Sequence, residues 1–253
     1  MIIPWQVDVP QDKKPVANWL IVVACFVVAV LQVQDLAANE SEGITEAWAL
    51  RGWGLKGLLG YMWLHGGFFH LLGNMWFLWI FGNNVEDRLG GGLYLTIYLL
   101  GGVLASGCHW MFQQGSPVPV IGASGAVAAI LGAYAVTWPW ARVHTLVFLF
   151  FFVTIIDLPA LLVLGVWFIG QLLSGLGQGQ GEAAGVAWWA HIGGFLAGML
   201  LMPLLESWAK PEQPSGRQRP PRPRRPFEPD WDDPPRDPRW PRDRIIDVRL
   251  KDK

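Results

Sequence analysis

Charge is what this chain has least of. Asp, Glu, Lys and Arg make up 15% of its 253 residues, where soluble domains carry roughly 25%. Together with 52% hydrophobic residues and a positive mean hydropathy, that shortage excludes an ordinary soluble domain and points to an integral membrane protein. Cysteine is equally scarce: Cys25 and Cys108 both lie inside apolar runs, where they read as small buried hydrophobes, and a structural disulfide is not expected. No internal repeat is evident. The first apolar run follows Pro4, Asp8, Asp12, Lys13 and Lys14; with no small-x-small cleavage pattern after it, it is expected to be a retained span and not a removed signal peptide.

What is present in abundance is apolar sequence. Six runs, at residues 17–33, 67–83, 93–112, 121–137, 158–177 and 186–205, are long enough or nearly so to cross a bilayer of about 30 Å at about 1.5 Å per residue. A further apolar stretch, 143–156, is short for a crossing. With six spans, 17 Lys and Arg fall on the side of the termini (Lys13, Lys14, Arg88, Arg142 and thirteen from Lys210 onward), against Arg51 and Lys56 opposite. That asymmetry obeys the positive-inside rule, so both termini are expected inside and 143–156 at the inner interface. Residues 44–59 mix Trp48, Leu50, Trp53 and Leu58 with Glu46, Arg51 and Lys56, a pattern suited to an amphipathic segment in the outer interface. Residues 177–185 are glycine-rich and polar, fitting either a lid or a solvated connector. From Lys210 the chain holds eleven prolines and alternates Arg with Asp; such a tail cannot bury a core and is expected to be disordered. Its basic stretch from Arg217 to Arg225 suits contact with anionic lipid, diluted by the acidic residues that follow. The chain thus divides into an N-terminal segment 1–16, a six-helix domain 17–205 and a tail 206–253.

The chemistry gathers around Val120-Ile121-Gly122-Ala123-Ser124-Gly125-Ala126, at the start of the fourth run. A serine between glycines is a weak signal by itself, because small residues such as Gly125, Ala129 and Gly132 also serve close packing of membrane helices. The sixth run carries His191 on an equally small-residue surface, Ala190 to Gly198. The second, fourth and sixth runs all start at the outer face, so depth can be counted: Ser124 lies about 5 Å in, His191 roughly 7 Å, His70 and Asn74 about 5 and 10 Å. His70 and Asn74, four apart, share one helix face. Hydrogen bonding between helices accounts for any one of these groups; four at one level, including a nucleophile and a base, favour a hydrolytic site. His191 is positioned to take the Ser124 proton, with Oγ and a ring nitrogen expected about 2.6 to 3.5 Å apart. No carboxylate lies at that depth, since Asp157 is near the inner face and Glu182 in the outer loop; the arrangement is a dyad. The Ser124 N–H, the Asn74 amide and the His70 imidazole are the available donors to an oxyanion.

With His65-x4-His70-x3-Asn74, Val85-Glu86-x-Arg88-Leu89-Gly90, Gly122-Ala123-Ser124-Gly125 and Ala190-His191-x-x-Gly194-x-x-x-Gly198 in place, the chain resembles a bacterial rhomboid, a family of intramembrane serine proteases, over roughly residues 34–205. The resemblance implies an all-α, polytopic bundle of six transmembrane helices in the bacterial inner membrane, with Ser124 as nucleophile, His191 as general base and His70 with Asn74 in the oxyanion hole. It implies that His65 positions the outer end of the second span, and that Glu86 and Arg88 tie the inner loop. Its substrates would be transmembrane segments of membrane-anchored proteins. No metal, organic cofactor or nucleic-acid partner is implied, and the partner of the tail is not indicated. Two positions depart from the family pattern. Ala128 stands where many relatives place an aromatic against the catalytic imidazole, and Arg51-Gly52-Trp53 is the nearest approach to an outer-loop Trp-Arg pair.

Two other readings stay open at this level: a catalytically silent rhomboid-like binder of membrane clients, and a channel or transporter built on the intramembrane polar groups. For substrate entry, the fifth run is the expected lateral gate, because it begins at Pro159, carries bulky Trp167 and Phe168, and leads into the glycine-rich loop. A helix that simply faces lipid is the plain alternative.

Overall fold

A computed structural model describes residues 2–38, 43–113, 119–149, 152–177 and 186–209. The tail from Lys210 and most of the glycine-rich loop lie outside these residues. Helix α1 spans Val16–Ala37. Two short helices follow, α2 (Ile44–Trp48) and α3 (Leu55–Gly60), with a single 3-10 turn at Tyr61–Trp63. The second apolar run is one unbroken helical path: α4 (Phe68–Phe77), a π-helical turn at Leu78–Gly82, and α5 (Asn83–Leu89). Then come α6 (Gly91–Phe112), α7 (Ser124–Thr137), α8 (Ala160–Gly177) and α9 (Trp188–Glu206). The helical bundle is therefore the one the apolar runs anticipate. Helices α1, α6, α8 and α9 are long and apolar enough to cross a membrane, and α7 is apolar but shorter.

Small residues set the centre of the bundle. The most extensive helix contact is between α7 and α9, followed by α6 with α9 and α6 with α7. A Cβ added at Gly198 would stand 2.6 Å from the Ala129 carbonyl carbon, one at Gly132 2.8 Å from that of Phe195, and one at Gly194 3.0 Å from that of Gly125. None of these separations is sterically allowed, so the two helices meet backbone to backbone, as small-residue surfaces permit in lipid. Helix α1 lies outside this centre and exposes Leu20, Val23, Val27, Val30 and Val33 along its length, the surface a lipid-facing helix needs.

Glu86 and Arg88, on α5 and not in a loop, bond to the ends of two other helices. Glu86 accepts the backbone N–H groups of Ala17 and Asn18 at 2.9 and 2.7 Å, capping the first turn of α1 where donors lack helical partners. Arg88 pairs with Glu206 at the end of α9. Asn18 donates to the Leu78 carbonyl at 2.9 Å and to Asn83 Oδ1 at 2.7 Å, and accepts from the Tyr94 hydroxyl at 2.7 Å. The start of the π-turn is thus bonded from a neighbouring helix.

The stretch 143–156 takes a form that apolar periodicity did not reveal. Strands β2 (Arg142–Leu149) and β3 (Phe152–Pro159) pair antiparallel, and β1 (Ile2–Val7) adds on the other side of β2, giving the order β1-β2-β3. The run is rich in Val, Thr and Ile, which suit a pleated surface, and His144 Nδ1 meets Asp157 Oδ1 across the strands at 2.6 Å. The N-terminal segment is held through this sheet, through Trp76 Nε1 donating to the Pro4 carbonyl at 2.8 Å, and through the Lys13 N–H donating to Asp87 at 2.7 Å. The amphipathic segment 44–59 forms two short helices, α2 and α3. Between them Leu50 pairs with Val120 through reciprocal backbone bonds of 2.9 and 3.0 Å, which links the outer segment to the chain that enters α7.

Candidate active site

Ser124 is the first residue of α7, so its N–H has no intrahelical acceptor and points out of the helix end. At 14 residues α7 covers about 21 Å, some 9 Å less than a hydrocarbon core of about 30 Å. A helix that short leaves at least one of its ends inside an apolar layer of that thickness. The chain before it is held by the Leu50–Val120 pair and by the Gly122 N–H donating to the Tyr61 carbonyl at 2.9 Å. Gly122 has a φ of +131°, and a Cβ there would lie 2.7 Å from His70 Cε1 and 2.9 Å from His70 Nε2. Glycine is needed twice over, for the backbone and for the imidazole pressed against it.

His191 enters from the first turn of α9. Its Nε2 stands 2.7 Å from Ser124 Oγ, inside the range expected for a nucleophile and its base. Gly194 makes the approach possible, because a side chain there would meet the Gly125 backbone and hold the two helices apart. Behind the ring, among the described residues, stands a carboxamide. His191 Nδ1 lies 2.6 Å from Gln171 Oε1, on α8. The sequence reading missed Gln171. Counted from Gly177, it sits about 9 Å into its helix, near the level of His191, so the depth argument applied to the other spans would have found it. The aromatic packing that Ala128 cannot give comes from two other directions: Trp167 of α8 lies 6.0 Å from the His191 ring between centroids, and Trp188 6.2 Å at a near right angle.

On the opposite side, His70 Nδ1 accepts from the Gly66 N–H at 3.3 Å, which places the ring proton on Nε2, the nitrogen beside Gly122 and Ser124. Asn74 is buried one turn further along α4, and its amide donates to the His70 carbonyl at 3.0 Å, leaving a second N–H. His65 stands just outside the second span. Its backbone N–H donates to Gln32 Oε1 at 2.9 Å and its carbonyl accepts from Gln32 Nε2 at 3.2 Å, so it fastens the start of that span to α1. Burial, and less strongly the neighbouring His70, push its imidazole down to about 4, and it is neutral at pH 7. Glu86 and Arg88 lie on α5, away from this constellation. Phe168 packs on Phe195 with centroids 4.9 Å apart.

Residues 52–207 match the Rhomboid domain, and the chain belongs to the rhomboid family. It is 44% identical over 70 residues to the rhomboid protease GluP of Bacillus subtilis, a stretch covering 28% of this chain and 13% of that protein. It is 33% identical over 75 residues to the mitochondrial presenilin-associated rhomboid-like protein A of Danio rerio, covering 29% and 20%. Over 146 residues it is 34% identical to RHOMBOID-like protein 4 of Arabidopsis thaliana, covering 57% and 32%. The matched part of the chain thus spans less than a third of the length of each of these relatives. With its apolar helices, the family identifies a multi-pass membrane protein.

Proposed function

We propose that this chain is an intramembrane serine endopeptidase that cleaves transmembrane segments of membrane-anchored proteins. The observation that carries the reading is the 2.7 Å contact between Ser124 Oγ and His191 Nε2, at the first residue of a helix shorter than a full membrane crossing. Ser124 Oγ attacks the carbonyl carbon of the scissile bond while His191 Nε2 takes the hydroxyl proton. The oxyanion that forms is met by the Ser124 N–H, His70 Nε2–H and the Asn74 amide. As the tetrahedral intermediate collapses, the C–N bond breaks and the imidazolium returns its proton to the leaving amine. Water, deprotonated by the same Nε2, then releases the acyl group from Ser124. An intact substrate helix hides its carbonyls in hydrogen bonds, so segments with helix-weakening residues and small residues at the bond are the expected substrates. The name of the GluP relative, a rhomboid protease, supports the activity.

Helix α8 is the lateral gate in this reading, held shut by Trp167 and Phe168 against α9. Both termini lie on the cytoplasmic side, a placement supported by the 17 basic residues there against two opposite. The six-helix domain runs over 17–205, with 1–16 before it and the tail after. The test is a serine-directed fluorophosphonate probe together with cleavage of a model transmembrane substrate in proteoliposomes. The expected result is labelling at Ser124 and fragment release, both lost in Ser124→Ala. A catalytically silent client binder would leave Ser124 unlabelled and the substrate intact.

A further inference from the structure

We propose that Gln171 is the positioning residue of the base: its side-chain oxygen accepts the Nδ1 proton of His191 and so holds the imidazole with its Nε2 lone pair facing Ser124. The inference rests on the Ser124–His191 reading and adds to it a third side chain, carried by a different helix. The geometry is continuous, with Gln171 Oε1 2.6 Å from Nδ1 and Nε2 2.7 Å from Ser124 Oγ. A neutral imidazole carries one ring proton, and it serves as a base for Ser124 only if that proton is on Nδ1. An oxygen acceptor at Nδ1 enforces this form. The opposite facing of the carboxamide, amide toward Nδ1, would put the proton on Nε2 and leave nothing to receive the serine hydrogen.

A carboxamide suits the place. In an apolar layer a fixed carboxylate carries a large desolvation penalty, whereas an amide oxygen orients the ring and offsets the imidazolium charge with a dipole alone. Gln171 lies one helical turn beyond Trp167, so both face the same way, and Trp167 packs on the same ring. Helix α8 thus presents an aromatic face and an acceptor to the base. Because α8 has only Ala160, Leu164 and Gly175 buried, the base is oriented only while this loosely held helix is seated.

The test is steady-state cleavage of a model transmembrane substrate by the full chain in proteoliposomes, with kcat and KM measured separately and folding checked by thermal unfolding. Gln171→Met keeps the size and removes the acceptor; kcat is expected to fall by roughly 10- to 100-fold with KM within about twofold, the scale seen for partners that orient functional histidines. Gln171→Glu keeps an acceptor at the same reach and, even with the desolvation penalty of a carboxylate there, is expected to retain at least about threefold more kcat than Gln171→Met. Should Gln171→Met not fold, Gln171→Asn, one methylene too short to reach, is expected to show the same loss in kcat. If the variant without reach or acceptor turns over at the unaltered kcat while Ser124→Ala is inactive, the role of Gln171 is overturned and the dyad stands. Equal losses in Gln171→Glu and Gln171→Met would also overturn it, by showing that the position tolerates only glutamine for packing. Cleavage by Ser124→Ala would remove the dyad and the positioning role together.

Discussion

Helix α7 buries eleven of its fourteen residues, and α8 three of its eighteen. The first carries the nucleophile, and the second carries the two side chains, Trp167 and Gln171, that touch the base from behind. Helix α7 is fixed on two sides by backbone-to-backbone contact with α9 and by α6, where a Cβ at Gly125 would come within 2.8 Å of Ala105 Cβ. Helix α8 rests chiefly on α9 and turns Leu161, Leu162, Val166, Ile169 and Leu173 outward. In the proposed enzyme the reacting hydroxyl is therefore held by rigid packing, and access and base orientation depend on a helix that moves at little cost. Local stability differs across one bundle in the sense expected when a site needs both precision and an opening.

The contrast is broken most severely at the dyad. Ser124→Ala and His191→Ala should each abolish cleavage while thermal unfolding stays near that of the unaltered protein; fragment release by Ser124→Ala would remove the nucleophile assignment. Asp157→Asn, which removes the carboxylate charge facing His144 on the neighbouring strand, should leave the chemical step unchanged. Next in size is the oxyanion side. Asn74→Ala should lower kcat by about 10² to 10³, or about 3 to 4 kcal/mol of transition-state stabilisation, with KM little altered, and a fall of less than threefold would take Asn74 out of the hole.

Two glycines test the packing contrast itself, and they should respond with opposite signs. Gly198→Ala puts a methyl group 2.6 Å from the Ala129 carbonyl carbon, so α7 and α9 must separate, at about 1 to 3 kcal/mol as overpacked sites show. Gly170→Ala on α8 meets nothing within 4 Å and should stabilise by about 0.4 to 1 kcal/mol through the unfolded chain. Thermal unfolding of the two variants in the same detergent decides it, and a loss of stability at Gly170→Ala would show that α8 packs more tightly than its exposure implies.

Much of this was legible beforehand. The spans followed from apolar runs, and the α7–α9 contact from glycines three and four apart. What escaped did so for physical reasons. An apolar run of fourteen residues rich in Val, Ile and Thr does not tell strand from helix by periodicity, so the β2–β3 hairpin was invisible. The π-turn at Leu78–Gly82 is bonded at its start by Asn18, sixty residues earlier, and no local pattern marks it. Ala128 looked like a gap beside His191 because the substitutes, Trp167 and Trp188, come from other elements. Gln171 was overlooked because the depth count was not carried into the fifth span, where a single amide gains meaning from the group at its own level.

The smallest expected effect distinguishes two neighbours on α8. Phe168 touches Phe195, with centroids 4.9 Å apart, whereas Trp167 touches Phe195 and the His191 ring, both at 6.0 Å. Phe168→Ala should therefore loosen the seat of α8 without disturbing the base. Cleavage of a transmembrane substrate should rise by about two- to fivefold, the scale of a lowered opening barrier of up to about 1 kcal/mol, while a small fluorophosphonate that needs no lateral opening labels Ser124 at its former rate. Trp167→Ala loosens the same seat but strips an aromatic wall from His191, so its labelling rate should fall even where entry is easier. The double replacement should combine the two, with transmembrane cleavage gaining less than in Phe168→Ala alone. A reversible disulfide between α4 and α8 should slow the transmembrane substrate and spare the small probe. If the crosslinked enzyme cleaved at the free rate, α8 would not be the gate, and substrate would have to descend to Ser124 from the outer loop.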